Sequence, residues 1–195
     1  GSHISHVTVS HPRAEVNKKI VVLTADTKEE LDKIKTLYAY KHSYKMKVDD
    51  TLVIQAEKTG FTEEEIKNFT WTVLTPNLLS CEPYIDETSG KTLHTLTKIK
   101  GLKSGEGKIV LKSNLPGIAD LSFDITVLPK NANLETEQDE AYLTTFQNVV
   151  SLKEKNDSAN VEVTAVGLSS DKLSGISWTP EKTGIISINS QGSSA

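Results

Sequence analysis

Apolar and polar residues alternate with a period of two in Thr51-Leu52-Val53-Ile54-Gln55-Ala56, Lys108-Ile109-Val110-Leu111-Lys112, Leu121-Ser122-Phe123-Asp124-Ile125-Thr126-Val127 and Val161-Glu162-Val163-Thr164. That period belongs to strands buried on one face. Between them stand turn formers: Asp49-Asp50, Thr59-Gly60, Ser89-Gly90, Ser104-Gly105-Glu106-Gly107, Asn114-Leu115-Pro116-Gly117 and Asn156-Asp157. Short strands with such punctuation predict an all-β sandwich. Helical patterning is confined to two places. Leu31, Ile34 and Leu37 recur at a spacing of three within Thr27 to Leu37, which reads as one helix or as a linker. Thr62-Glu63-Glu64-Glu65-Ile66 has a capping Thr with Glu three residues on and predicts a single turn between strands, as does its counterpart Ser169 to Leu173.

The pattern repeats. A shift of 107 residues brings Asp50-Thr51 onto Asp157-Ser158, Gly60-Phe61-Thr62 onto Gly167-Leu168-Ser169, Ile66 onto Leu173, Phe69 onto Ile176 and Trp71 onto Trp178. The two tryptophans of the chain are superimposed by this one offset. A second match links Val7-Thr8-Val9-Ser10 to Ile109-Val110-Leu111-Lys112, and Ile20 to Leu23 to the strand from Phe123 to Thr126. Gly1 to His3 read as the remnant of an expression tag. The remainder divides into the closing strand pair of one repeat (4–26), a complete repeat (33–129) and the first part of another (134–195). Trp71 and Trp178, with Phe69 and Ile176, are expected in equivalent cores, and Gly60 and Gly167 in equivalent turns that need a left-handed backbone.

Phe69-Thr70-Trp71, Ile176-Ser177-Trp178-Thr179-Pro180 with Ile185 to Gly192 behind it, and the glycine-rich run Gly101 to Leu111 resemble the bacterial immunoglobulin-like domain of the group 2 type. In that family a tryptophan strand leads to a short strand and a glycine turn, and a glycine-rich turn enters the penultimate strand. The resemblance implies tandem immunoglobulin-like sandwiches of a bacterial cell-surface or secreted protein. Leu78 to Asp86, with Cys81 and Pro83, is longer than the corresponding stretch of the last repeat.

Charge and composition narrow the function. With 22 Lys and Arg against 26 Asp and Glu, the chain carries a formal charge of −4, and no basic field exists to attract nucleic acid. No run of eighteen apolar residues could span a bilayer, and no signal peptide is visible. Cys81 is the sole cysteine, which excludes an intrachain disulfide and favours a small half-buried side chain over a nucleophile. His6, His11, His42 and His94 sit in no catalytic motif and read as ordinary surface or turn residues, with His42 aligned to Val149. Gly101, Gly105 and Gly107 precede a strand and not a helix, so a hairpin turn explains them better than a phosphate loop. No catalytic residue and no cofactor are expected. The exception considered is calcium at Asp49-Asp50 and Asn156-Asp157, where oxygen ligands recur in equivalent turns, although such residues also favour turns for their own sake. Asn68-Phe69-Thr70 and Asn156-Asp157-Ser158 fit the glycosylation sequon, which counts only in a eukaryotic source.

Three functions compete: an adhesive or spacer array, an accessory carbohydrate-binding module, and an enzyme. The array is preferred; its partners would be neighbouring repeats and a host or cell-surface ligand, protein or glycan. For the carbohydrate reading the markers are Tyr38, Tyr40 and Tyr44, which alternate along one segment. Because 134–195 lacks closing strands and Val7 to Ser10 and Ile20 to Leu23 resemble them, strand exchange between copies is expected, in preference to completion within one chain.

Overall fold

The alternating segments form strands in the computed structural model of the chain, which describes residues 1–12, 18–134, 142–144, 149–153, 157–166 and 175–190. In chain order these are β1 (His3–Ser10), β2 (Lys18–Thr24), α1 (Lys28–Asp32), β3 (Thr36–Tyr38), β4 (Ser43–Lys47), β5 (Thr51–Gln55), β6 (Glu57–Thr59), α2 (Glu63–Ile66) and β7 (Thr70–Val73). They continue as β8 (Leu79–Ile85), β9 (Thr92–Gly101), β10 (Gly105–Lys112), β11 (Leu121–Leu128), β12 (Tyr142–Thr144), β13 (Val149–Leu152), β14 (Thr164–Val166) and β15 (Ser177–Pro180). The chain is all-β, and the two helices named among the described residues, α1 and α2, are short. It divides into a middle unit, Lys35–Leu134, and a terminal unit made of Gly1–Ile34 with Glu135–Ala195.

The middle unit is a sandwich. One sheet runs β4-β11-β10-β7, a second β5-β9-β8, and β3 pairs with β6. β4 lies parallel to β11, and the other ladders are antiparallel. Strict alternation in β11 turns Phe123, Ile125 and Val127 inward, where they meet Ile109 and Leu111 of β10 and Ile54, Ile99 and Leu79 of the other sheet. Phe123, Ile54, Ile99, Ile109, Leu111 and Ile125 have no exposed surface, and each such side chain contributes about 1.5 to 3 kcal/mol of burial. Pro83 cannot donate to a ladder, and the pairing of β8 with β9 shifts between Pro83 and Ile85. This shift accommodates the longer Leu78 to Asp86 stretch. The glycines at 101, 105 and 107 do not close a hairpin as expected, because β9 and β10 belong to different sheets. They turn the chain from one sheet to the other at close quarters: a Cβ on Gly101 would stand 2.8 Å from the Lys47 carbonyl oxygen, and one on Gly107 2.5 Å from Leu79.

The two helical signals resolve differently. Thr62 caps α2 in a full capping box, its hydroxyl accepting from Glu65 N while the Glu65 carboxylate accepts from Thr62 N. Of the ambiguous Thr27–Leu37 segment, only Lys28–Asp32 is helical, capped by Thr27, and Leu37 already belongs to β3. The counterpart of α2 at 169–173 lies outside the described residues.

The terminal unit is built from both ends of the chain. Its sheet runs β13-β2-β1-β15, and β12 pairs with β14. Strand exchange was expected to favour a second copy; here β1 instead pairs antiparallel with β15, and β2 parallel with β13, within the same chain. The register reproduces the middle unit residue by residue. Val9 faces Trp178 as Leu111 faces Trp71, and Val7 faces Ile20 as Ile109 faces Phe123. Tyr44 faces Ile125 as Val150 faces Val22, so β13 sits one residue short of the 107-residue offset, and Ser43, not His42, is the counterpart of Val149. Val7, Val9, Ile20, Val22, Val150, Val161, Val163 and Ile176 form its core. Val161 and Val163 are buried around an exposed Glu162, yet residues 158–161 belong to no strand, unlike their counterparts 51–54 in β5.

Candidate functional site

Trp71 projects from the inner face of β7 and Trp178 from that of β15, each half-buried in an exposed-intermediate alternation. Each packs against the core of its own unit. The Trp71 Nε1–H donates to the His94 carbonyl at 3.1 Å, and its ring lies 5.5 Å from that of Phe123. Phe69 and Ile176 are buried. The indoles therefore cover the edges of the cores, while the flanking Phe69 and Ile176 lie inside. Gly60 has φ +77°, a conformation costly for any residue with a Cβ. Gly167 lies outside the described residues.

The three tyrosines do not share a face. β3 ends at Tyr38 and pairs with β6, whereas β4 begins at Ser43 and pairs with β11, so the segment crosses between sheets in the middle of the run. Tyr44 points to the core, 6.4 Å from the Phe123 ring, with Lys41 Nζ 4.7 Å above its own ring. Burial raises the Tyr44 hydroxyl above the ordinary tyrosine range, against a hydrogen bond to the Gln55 backbone. Tyr38 is raised chiefly by burial and further by Tyr40 and Glu57. Tyr40 is 53% exposed and meets Tyr38 edge to face at 6.2 Å, a perpendicular pair that offers a sugar one ring face.

The acidic turns are occupied by the chain's own donors. Asp50 accepts from Lys47 N at 3.2 Å, and Asp157 from Lys153 N at 3.0 Å, so an aspartate closes a turn onto the backbone in both units, reaching three residues back in the first and four in the second. Asp49, at φ +74°, binds Lys130 Nζ at 2.7 Å, and that lysine holds its carboxyl below the ordinary range. Among the described residues no group of three or more His, Cys, Asp or Glu is disposed to hold a metal ion. Cys81 is half-buried against the middle core, and burial pushes its thiol up, away from the reactive thiolate. The histidines have separate local roles. His6 Nδ1 meets Glu181 Oε2 at 3.0 Å, and the His42 ring stacks on Phe123 at 6.0 Å. His11 is not a surface turn residue as expected: it is 7% exposed and packs where Gly175 leaves room, a Cβ there falling 2.7 Å from Nε2.

An open cavity of about 880 Å³ lies in the terminal unit, over the inner face of the β13-β2-β1-β15 sheet. Val7, Ile20, Val22, Val150 and Trp178 form its floor, and the stretches Asp157–Val161 and Gly184–Asn189 flank it. Nothing in the sequence pattern announced this cavity. Its signal was indirect: by the 107-residue offset the flanking stretches correspond to 50–54 and 77–82, which run into β5 and β8, the two strands that β9 joins in the middle unit. No helix of the described residues is long and apolar enough to cross a membrane.

No protein-family model matches the chain, and no curated protein sequence matches it. Among solved structures it is similar to the S-layer protein rSbsC(31-844), with 10% identity and a TM-score of 0.37, covering 94% of this chain and 33% of that one. It is also similar to domains 4–9 of the surface layer protein SbsC, with 15% identity and a TM-score of 0.33, covering 88% of this chain and 24% of that one. The chain spans about a third and about a quarter of those two chains.

Proposed function

We propose that this chain is a non-catalytic segment of tandem immunoglobulin-like repeats of the bacterial group 2 type, acting as a spacer or adhesive array at the cell surface or in a secreted protein. The observation that carries the reading is the duplicated register. β15, β1, β2 and β13 stand in the order of β7, β10, β11 and β4, with both tryptophans facing the same ladder position. In the middle unit a sheet of four strands with one parallel edge pair faces a sheet of three across a shared core, the arrangement expected of such sandwiches. A repeated module with its own core is suited to setting distance and stiffness, and the ion pairs Lys28–Asp32, Lys98–Glu82 and Lys108–Asp124 lie at its surface. Labelling of intact source cells with antibody to the folded chain tests the location; labelling seen only after lysis rejects it.

A carbohydrate-binding module is the second reading, favoured by the exposed ring of Tyr40 beside Tyr38. A glycan array separates the two. The array reading expects no signal that depends on Tyr40, and glycan binding abolished by Tyr40→Ala establishes the alternative.

A further inference from the structure

Tension that reaches the middle unit along the chain enters at Lys35 and leaves at Leu134, the limits of that unit. Within its four-stranded sheet, β4 is the first strand in chain order and β11 the last. They are neighbours, and they pair in parallel from Ser43 opposite Asp124 to Lys47 opposite Leu128. The direction of pairing decides how a pull is resisted. Force reaches β4 at its Ser43 end and β11 at its Leu128 end, and in a parallel pair those ends lie at opposite poles. The strands are therefore drawn past each other along their length, and the evenly spaced bonds of the ladder resist together. An antiparallel pair of first and last strands would be drawn apart from one end, and its bonds would break in turn.

The ladder is closed at both ends. The Asp124 N–H donates to the His42 carbonyl at 2.8 Å, and the Val48 N–H to the Leu128 carbonyl at 3.0 Å. Beyond the second of these, the Lys130 ammonium binds Asp49 at 2.7 Å and ties the segment leaving β11 to the turn leaving β4. On the inner face Tyr44 lies opposite Ile125 and Met46 opposite Val127. Met46, Ile125 and Val127 are buried, and Tyr44 packs on Phe123. Water is thus kept from the inner side of the ladder, where it would compete for the bonds as they stretch. β11 is held on its other side by β10, from Gly105 opposite Val127 to Leu111 opposite Leu121, so β4 is the member that slides. Upstream of β4, β3 forms a separate short ladder on β6, and Lys35 meets Glu65 at 2.5 Å.

We propose that the middle unit carries tension along the chain, with the parallel β4–β11 ladder, from the His42 carbonyl to the Val48 amide, as the element that resists shear. The turn after β4 offers a way to weaken that ladder alone. Lys47, Val48, Asp49 and Asp50 form a β-turn closed by the Asp50 N–H to the Lys47 carbonyl at 3.1 Å, and Asp49 in its third position has φ +74°. Such a turn is of type II, and proline suits its second position. Val48→Pro therefore removes the amide that closes the ladder and keeps the turn. The inference deepens the spacer part of the proposed function. It needs the middle sandwich alone and not the cell-surface location, so its failure leaves the labelling and glycan experiments to decide the latter independently.

The test is single-molecule stretching of the full chain between two introduced thiols, with the sole cysteine removed by Cys81→Ala. Lys41→Cys with Asn131→Cys grips the ladder at opposite poles and pulls it in shear. Lys41→Cys with Ala119→Cys grips one pole and peels the strands apart. All three positions are exposed. The force at first rupture is read, because both ends of the middle unit lead into the terminal unit, which limits the extension that follows. At one loading rate, first rupture in shear should need about twice the peeling force or more. Val48→Pro should lower the shear force by about a fifth and leave the peeling force, set at the Ser43 end, unchanged. The same variant should move the urea midpoint of the middle unit by less than about 0.5 M. Equal rupture forces in the two directions overturn the proposal, and so does a shear force that Val48→Pro leaves unchanged. If Val48→Pro does not fold, the two directions compared in the parent chain decide alone.

Discussion

Replacing Trp71 with alanine separates a core tryptophan from a surface ligand platform, and the structure sets the size of the effect. Truncating a fully enclosed tryptophan costs about 3 to 5 kcal/mol. The Trp71 indole is half-buried, so about 2 kcal/mol of that is expected. Loss of the Nε1–H bond to the His94 carbonyl adds about 1 kcal/mol, and loss of the contact with the Phe123 ring about 0.5 to 1. The sum is about 3.5 kcal/mol. With an m-value of about 1.5 kcal/mol per molar urea for a unit of this size, the midpoint of the middle unit should fall by about 2 M. Trp71→Phe keeps most of the packing and loses the hydrogen bond, and should cost about 1 kcal/mol. Because the chain has two tryptophans, Trp178→Phe leaves Trp71 as the sole indole reporter. The alanine variant is then followed by hydrogen exchange of β10 and β11. A cost below about 1 kcal/mol for Trp71→Ala would refute the assignment and make the indole available for ligand contact.

Gly60→Ala forces a Cβ into φ +77° and should destabilise the middle unit by about 1 kcal/mol, read as a fall in its melting temperature of about 4 to 8 °C. Thr62→Ala removes the α2 cap, for a loss of about 1 kcal/mol by urea titration. The pH dependence of the same cap has a definite sign. The Glu65 carboxyl is held low, first by Lys35 and then by Thr62, so its contribution is present above the ordinary glutamate value and is lost as pH falls through the lowered one; Glu65→Gln should flatten that acid limb of the melting curve. Removing residues 1–24 strips Val7, Val9, Ile20 and Val22 from the terminal core. Protection of β13 and β15 against hydrogen exchange should then vanish while that of β10 and β11 persists; unchanged protection of β15 would show that β1 is dispensable there.

The sheet that joins the two ends was legible because two signals coincide in it. β1, β2, β10 and β11 carry period-2 alternation or uninterrupted apolar runs, and the same residues recur between repeats, so Val9 could be matched to Leu111 before their partners were known. The matching slipped at β13 for a specific reason. The Asp50 side chain caps an amide three residues back, whereas Asp157 caps one four residues back, so the second turn holds one residue more and moves everything before it out of step. β9 escaped the pattern because a threonine stands where an apolar residue would mark the inner face. Thr97 is 1% exposed, and its hydroxyl is satisfied by the Glu82 carbonyl at 3.0 Å. Without β9, the cavity could not be foreseen from the sequence. The tyrosines misled because alternation implies one face only within a single strand, and this segment changes sheets between Tyr38 and Tyr44.

The pairing of β1 with β15 has a consequence during synthesis. The middle unit has all its strands once Leu128 has been made, but the terminal unit must wait for Pro180 before Val7 finds its partner. At about 5 to 20 residues per second that interval lasts about 3 to 10 s. During it, β2 can gain β13 once Leu152 has been made, but the β1 edge stays without β15. The middle unit therefore has its full set of strands before the terminal unit does. A nascent-chain series halted at successive lengths should gain protease resistance in 35–134 first and in 1–24 only after residue 180 has cleared the exit tunnel.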